Sequence, residues 1–172
     1  RVVLNDKEQN ILTDDEVRNL NIAKGTLLPE ERDIINDHIS ITIDMLDQLP
    51  YPKNLKNIPE FAGGHHEKID GTGYPNQLKG EDMSWPAKMM AIADIFEALT
   101  AADRPYKKAK MLSESVKILW SMKKDKHVDP DLFNLFLVSG AYKDYADQFL
   151  RPEQIDDVDI SKYLDQPQRA AE

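Results

Sequence analysis

The chain has 172 residues, four histidines and no cysteine, and two of the histidines are adjacent. His65 and His66 follow two glycines and precede Glu67. Side chains of neighbouring helical residues point about 100° apart, so both imidazoles reach one cavity only if it holds more than one centre. Two metal ions would provide such centres, and mixed sets of His and Asp recur in hydrolytic dinuclear sites.

Two further candidate ligands lie in apolar stretches. His38 falls on the apolar side of a predicted helix, where the alternative is a core histidine bonded to a carbonyl. Asp94 interrupts the apolar run 89–99, and a carboxylate buried there needs a cation or strong hydrogen bonds. A structural salt bridge is the alternative for Asp94. Glu97 lies on the same helix face, either as a support for Asp94 or simply at the helix edge.

The four candidate ligands, three histidines and Asp94, supply nitrogen and oxygen atoms without sulfur. Such a set suits iron, manganese or zinc better than a soft metal. We expect the side chains to converge within a few ångströms although their sequence separation reaches 56 positions. The proposed ligands are His38, His65, His66 and Asp94.

A glycine-rich loop follows the paired histidines. Gly71 and Gly73 permit positive φ, and Pro75 holds Tyr74 extended, so a stiff backbone presents the phenol ring. An ordinary surface turn is the alternative. The position of Tyr74, eight residues after His66, favours a functional loop.

Helical periodicity of about 3.6 residues dominates the chain and predicts an all-α fold. Helices are expected after the caps Thr13, Ser84, Ser113 and Asp129, from near Pro29 to Leu49, from Ile58, and over 141–150. The helix after Ser84 is the most apolar and should lie centrally. Residues 1–150 form the predicted domain, and 151–172 form an acidic tail expected to dock loosely or fray.

Composition limits the classes of function. The formal net charge of −9 argues against general affinity for nucleic acid or anionic lipid, and no apolar run is long enough for a bilayer. The absence of cysteine fits a reducing cytoplasm. Basic residues do gather at Arg104, Lys107, Lys108 and Lys110, which would suit a small anion or a merely solvated surface.

The strings HHEKIDGTGYPNQLKGEDM and AIADIFEALTAADRPYKK closely resemble the HD-GYP subgroup of metal-dependent phosphohydrolases. These are bacterial signalling enzymes that hydrolyse cyclic di-GMP, and the resemblance covers residues 25–137. It implies a helical bundle around a metal-filled cavity, with two or more divalent ions. Iron or manganese is expected first, with zinc and nickel as alternatives.

The resemblance also assigns residue roles. It implies metal binding by His38, His65, His66 and Asp94, and contact with the ligand by Tyr74, Arg104 and Lys107. Arg104 would grip a phosphate, Lys107 would add a point charge, and Tyr74 would contact or stack on a guanine. Metals would activate water for attack at phosphorus, giving pGpG or GMP.

One family feature is absent from these 172 residues. The family is named for an adjacent His-Asp pair, preceded by another histidine and followed by a lysine, upstream of the position matching His38; none is present. We expect that this chain is the C-terminal part of an enzyme, lacking the domain's N-terminal helices and inactive or impaired alone. The alternative is a degenerate, non-catalytic module that binds cyclic di-GMP or a signalling partner. An upstream sensor or receiver domain and a homodimer fit either interpretation.

His127 fits no family position and is expected at the surface.

Overall fold

The computed structural model describes residues 2–4, 7–23, 25, 27–102 and 109–165 of the chain. Helices dominate these residues and confirm the predicted all-α class. The α-helices are α1 (Asp14–Leu20), α2 (Pro29–Asn36), α3 (His38–Asp47), α4 (Ile58–Gly63), α5 (Trp85–Thr100), α6 (Leu112–Lys124), α7 (Pro130–Val138) and α8 (Ala141–Phe149). Short 3₁₀ turns cover Lys53–Leu55, Gly64–His66, Pro152–Gln154 and Ile160–Lys162.

A small antiparallel hairpin precedes the helices. Strand β1 (Val2–Leu4) pairs with β2 (Lys7–Gln9), with Val2 opposite Gln9. Helical periodicity did not predict this hairpin, because three-residue strands are too short to show an alternating pattern. Val2 and Val3 are β-branched residues, which favour the extended backbone.

Several predicted helix caps are confirmed. The Thr13 hydroxyl accepts from the Glu16 amide at 3.2 Å, and the Glu16 carboxylate accepts in return from the Thr13 amide at 2.7 Å. Asp129 caps α7 by accepting from the amides of Asp131 and Leu132, each at 3.1 Å.

Two helix predictions were wrong in detail. The helix predicted from Pro29 to Leu49 is divided at Asp37 into α2 and α3. Ser113 lies inside α6 and does not cap it. Its amide donates to the Asp156 carboxylate at 2.8 Å, so a residue 43 positions away supplies the acceptor that a local cap would have provided.

The main hydrophobic core lies in the C-terminal half of the described chain. It is formed by residues of α5 to α8 and of the turn between α6 and α7: Ile92, Phe96, Leu112, Val116, Leu119, Val128, Leu132, Phe133, Leu137, Tyr142 and Ala146. Lys88 of α5 and Asp129 add an ion pair at 3.1 Å in which each side chain is only 12% exposed. This half of the molecule therefore packs against α5 along most of its length.

The tail packs against this core, so the expectation of loose docking was wrong for residues 151–165. Ile155, Val158, Ile160, Tyr163 and Leu164 pack on the core cluster. Ile160, Tyr163 and Leu164 follow the i, i+3, i+4 spacing of an apolar helix face, and this amphipathic patch was visible in the sequence. Ile155 and Val158 follow no such spacing. Residues 166–172 lie outside the described part of the chain.

The N-terminal helices α1 to α3 bury far fewer residues than the C-terminal core. No residue of α1 or α2 is buried, and Ile39 is the one buried residue of α3. Large apolar side chains on α2 and α3 are exposed, including Ile34 at 73% and Met45 at 66%. The described residues therefore leave an apolar surface along α2 and α3, which we call the α2–α3 surface.

Two adjacent glycines allow α4 and the following 3₁₀ turn to approach their neighbours closely. A Cβ atom at Gly63 would lie 2.5 Å from Cδ1 of Ile43 in α3. A Cβ atom at Gly64 would lie 2.7 Å from Cβ of Ala87 in α5. A side chain at Gly64 would push the turn away from α5, because Ala87 has no rotamer to adopt, whereas a side chain at Gly63 would require Ile43 to change its rotamer.

We predict that Gly64→Ala destabilises the protein by about 1 to 3 kcal/mol, because Ala87 is buried and its Cβ has no rotamer to escape into. Urea denaturation measures this. Ala87→Gly in the Gly64→Ala background should recover part of the loss, beyond the sum of the two single effects. Wild-type stability of Gly64→Ala would contradict the close approach.

Candidate metal centre

The paired histidines lie where the 3₁₀ turn Gly64–His66 packs against α5. Among the described residues, His65, His66 and Asp94 each offer a ligand atom, and these three atoms lie within 4.8 Å of one another. The two imidazole rings have centroids 4.2 Å apart. Ligand atoms at these separations can share metal ions.

Asp94 reaches this cluster from α5, although it is not buried. Its apolar sequence neighbours predicted that Asp94 is buried, and this prediction was wrong because only one side of α5 is covered. Ala87, Ala91, Ile92 and Phe96 are buried, whereas the face carrying Asp94 is exposed in the described structure. The carboxylate is therefore hydrated and can accept a cation without first breaking a buried salt bridge.

His38 lies beside the cluster at the start of α3. Its ring centroid is 5.2 Å from that of His66, with the two planes nearly perpendicular. His38 is exposed, so it is not a core histidine, but its Nδ1 bonds the Ile35 carbonyl as that alternative expected.

Backbone carbonyls fix which nitrogen of two imidazoles can bind a metal. Nδ1 of His65 donates to the Ala62 carbonyl at 2.5 Å, and Nδ1 of His38 donates to the Ile35 carbonyl. A carbonyl oxygen only accepts, so these Nδ1 atoms carry hydrogens and Nε2 is the nitrogen left to bind a metal. Such outer hydrogen bonds orient imidazole ligands in metal sites.

His66 is held in its neutral form. Burial lowers its pKa from 6.5 to about 4; repulsion from His65 also lowers this pKa, while Asp94 opposes the shift. A neutral imidazole is the form that binds metals. The donor set thus fits a divalent ion at neutral pH.

Glu67, the next residue, holds the glycine-rich loop. It is 1% exposed, and its two carboxylate oxygens accept from the amides of Asn76 at 2.7 Å and Leu78 at 3.0 Å. This role of Glu67 was not predicted from the sequence. A charged residue directly after the paired histidines was the available signal, but nothing local indicated that its partners lie 9 and 11 positions ahead.

The glycine-rich loop lies in close contact with the chain that follows the 3₁₀ turn Gly64–His66. Gly71 has φ of +80°, and a Cβ atom at Gly73 would lie 2.4 Å from Cα of Glu67. Thr72 donates from its amide and its hydroxyl to Asp70, which closes the turn. The prediction of positive φ is confirmed at Gly71 but not at Gly73, where glycine is required because the two stretches of backbone approach closely.

This path places Tyr74 on the cluster. The Tyr74 amide donates to the His66 carbonyl at 3.3 Å, and its ring stacks on the His66 ring at 4.8 Å between centroids and 15° between planes. Burial and the nearby Asp94 charge raise the pKa of the phenol. Tyr74, beside Pro75, thus covers one side of His66.

The opposite end of the loop is tied to the turn between α6 and α7. The amides of Ile69 and Asp70 donate to the carbonyls of His127 at 3.3 Å and Lys126 at 3.1 Å. His127 is half-buried and not a surface residue, because this pairing covers it, and burial lowers its pKa.

Three predicted residues are not brought to the cluster by the described structure. Glu97 is exposed, and its carboxylate makes no hydrogen bond or ion pair to another described residue. Arg104 and Lys107 lie in 103–108, outside the described residues. Of the basic group, Lys110 is described, and its Nζ pairs with Glu114 at 2.5 Å.

The sequence pattern of a protein family described as HD domain matches residues 13–132, which include the complete cluster and loop. The chain belongs to the HD-domain family. The assignment to HD-domain phosphohydrolases of the HD-GYP type is thereby confirmed. The match holds although no histidine in the 172 residues is followed by aspartate.

Several relatives of this HD domain carry phosphodiesterase names. A probable cyclic di-GMP phosphodiesterase of Vibrio cholerae is 33% identical over 78% of this chain and 32% of its own length. A cyclic di-GMP phosphodiesterase of Thermotoga maritima is 34% identical over 67% of this chain and 31% of its own length. A 3'3'-cGAMP-specific phosphodiesterase of Vibrio cholerae is 35% identical over 63% of this chain and 23% of its own length.

The matched region spans about a third or less of these relatives. In the described part of the chain, no helix combines the length and apolar character that a bilayer crossing requires.

We predict that Glu67→Ala loosens the loop, because two backbone amides lose their buried acceptor at about 1 to 3 kcal/mol each. Hydrogen exchange at Asn76 and Leu78 should accelerate at least tenfold. Glu81→Ala, which removes an exposed carboxylate from the same loop, is the control and should leave both rates unchanged. Unchanged exchange in Glu67→Ala would contradict the anchor.

We predict that the metal-free protein loses stability as pH falls from about 6.5 to about 4. In this window the unfolded state binds a proton at His66 that the folded state excludes, so stability rises with pH. One proton gives a slope of at most about 1.4 kcal/mol per pH unit. Urea denaturation in the presence of chelator measures the slope, and His66→Gln should make it shallower. Parallel curves would refute the prediction.

Proposed function

We propose that this HD domain is part of a metal-dependent phosphodiesterase that hydrolyses cyclic di-GMP to pGpG or GMP in the bacterial cytoplasm. The convergence of His65, His66 and Asp94 within 4.8 Å, under the ring of Tyr74, is the observation that carries this proposal. The names of the relatives supply the substrate class, a cyclic dinucleotide containing guanine.

His65, His66 and Asp94 would hold the metals, with His38 as a further ligand through Nε2. A divalent ion, when bound, lowers the pKa of water and stabilises charge at phosphorus. Iron or manganese suits this nitrogen and oxygen set, and zinc or nickel is compatible with it. The carbonyls of Ile35 and Ala62 keep the imidazoles of His38 and His65 oriented.

Substrate contacts are proposed for Tyr74, Arg104 and Lys107. One face of the Tyr74 ring is used by His66, which leaves the other face for a guanine. Arg104 would bind a phosphate through its forked donors, and Lys107 would add positive charge. A net charge of −9 repels a dinucleotide at long range, but salt screens this over about 8 Å, so the contact residues decide binding.

We further propose that another segment of the whole protein covers the α2–α3 surface and completes the ligand set. Exposed Ile34, Ile41 and Met45 support this, because large apolar side chains exposed on two neighbouring helices are typical of an interaction site. His38 and Asp94 are exposed beside it, which is where additional ligands would have to enter. An upstream sensor or receiver domain and a homodimer fit the same proposal.

A second candidate is a module that binds a cyclic dinucleotide without cutting it. The exposure of Asp94 and the absence of a His-Asp pair from these 172 residues favour this candidate. The two candidates differ in metal content and turnover, and both predict binding of the dinucleotide.

We predict that the full-length protein releases pGpG or GMP from cyclic di-GMP when Mn²⁺ or Fe²⁺ is supplied, and that Asp94→Ala abolishes turnover and lowers metal content. Chromatography of products and elemental analysis measure these effects. Asp147→Ala, which removes an exposed carboxylate far along the chain, should act like wild type. Wild-type turnover in Asp94→Ala would refute its role, and binding without turnover in the unmodified protein would favour the second candidate. Parallel assays with 3'3'-cGAMP show which dinucleotide is preferred.

We predict that the 172-residue chain by itself binds metal weakly and does not hydrolyse cyclic di-GMP. An incomplete ligand set loses both affinity and geometry. Titration calorimetry with Mn²⁺ and a product assay test this, with the full-length protein as reference. Measurable turnover by the isolated chain would show that its own ligands suffice.

A further inference from the structure

Three imidazoles meet at the candidate metal centre, and hydrogen bonds orient two of them. Nδ1 of His65 donates to the Ala62 carbonyl, and Nδ1 of His38 donates to the Ile35 carbonyl. Bonds of this kind fix the rotation of an imidazole ring and aim its other nitrogen at a metal. His66 is different, because neither of its ring nitrogens bonds another residue in the described part of the chain.

Aromatic contacts take the place of the missing hydrogen bond at His66. The Tyr74 ring lies nearly parallel to the His66 ring, with 15° between the planes and 4.8 Å between the centroids. The His38 ring meets the same imidazole nearly at a right angle, at 79° and 5.2 Å. Rotation of the His66 ring out of its plane about the Cβ–Cγ bond would break the parallel contact. The stack therefore fixes the plane in which the nitrogens of His66 lie.

The Tyr74 ring can serve as a support because the loop backbone holds it on both sides. Before Tyr74, the chain lies so close to Glu67 that a Cβ atom at Gly73 would be 2.4 Å from Cα of Glu67. After Tyr74, the buried Glu67 carboxylate accepts from the amides of Asn76 and Leu78. The backbone, and not the stack alone, therefore sets the position of the Tyr74 ring.

We propose that Tyr74 is a positioning residue for the metal ligand His66: its ring fixes the plane of that imidazole, the role that backbone carbonyls have for His38 and His65. This inference rests on the metal site of the proposed function, and it is separate from the substrate contact proposed for the same ring. The role requires a flat ring at position 74. It does not require the phenol hydroxyl.

The test measures metal affinity in the full-length protein without any nucleotide. The apparent dissociation constant for Mn²⁺, obtained by competition with a chelating dye, should rise about tenfold in Tyr74→Leu, as for other lost contacts that orient a metal ligand. Tyr74→Phe keeps the flat ring and should stay within twofold of wild type. Phe149→Leu, the matched control, also replaces an aromatic ring by leucine, but in α8 at a residue that is 68% exposed. It should also stay within twofold of wild type.

A comparison of double variants separates the orientation of His66 from a general loosening of the loop. In a His66→Gln background, Tyr74→Leu should change the dissociation constant less than twofold, because the ligand on which the ring acts is already gone. In a His38→Gln background the effect should remain about tenfold, since the Ile35 carbonyl and not Tyr74 orients the His38 ring. Urea unfolding in the presence of chelator shows whether each variant folds, and Tyr74→Ala replaces Tyr74→Leu if the latter does not.

Unchanged metal affinity in Tyr74→Leu would overturn the proposal, and so would equal losses in Tyr74→Phe and Tyr74→Leu. A tenfold loss that persists in the His66→Gln background would also overturn it, because Tyr74 would then act through another group. If the protein binds Mn²⁺ but leaves cyclic di-GMP uncut, the proposed hydrolysis fails and the affinities still test the role of Tyr74. A full-length wild type that binds no divalent metal would overturn the inference together with the metal site on which it rests.

Discussion

The close approach of the turn at Gly63 and Gly64 to the neighbouring helices is the constraint on which the candidate metal centre depends. Without a Cβ atom at either position, the turn fits between Ile43 of α3 and Ala87 of α5. The imidazoles of His65 and His66 then meet Asp94 from α5 and His38 from α3. A displacement of about 1 Å, which one methyl group would impose, exceeds the tolerance of metal ligand distances.

The two halves of the described chain serve this centre differently. The C-terminal core, built on Phe96 and Phe133, holds α5 and the loop support at 126–127 in place. The N-terminal helices contribute His38 but bury little of their own apolar surface. The C-terminal core therefore fixes one side of the candidate centre, whereas the side of the N-terminal helices is exposed in the described structure.

The predictable features of this structure are those in which a residue bonds or packs with residues close to it in the sequence. Thr13 and Asp129 cap helices within three residues, and periodicity located most of the helices. Glu67, Asp156 and Gln154 were not predictable, because their partners are 9 to 54 positions away and follow no repeating spacing. The exposure of Asp94 was missed for a related reason. An apolar helix sequence does not say which neighbouring elements cover it.

The order His65, His66, Glu67 has a consequence for insertions and substitutions. The first two residues face the candidate metal centre, and the third holds the loop that carries Tyr74, with no residue between them. An inserted or deleted residue at this point would therefore displace the loop anchor relative to the candidate ligands. Asn76 and Gln77 are exposed, so substitutions of their side chains can change the loop surface without moving either the anchor or the cluster.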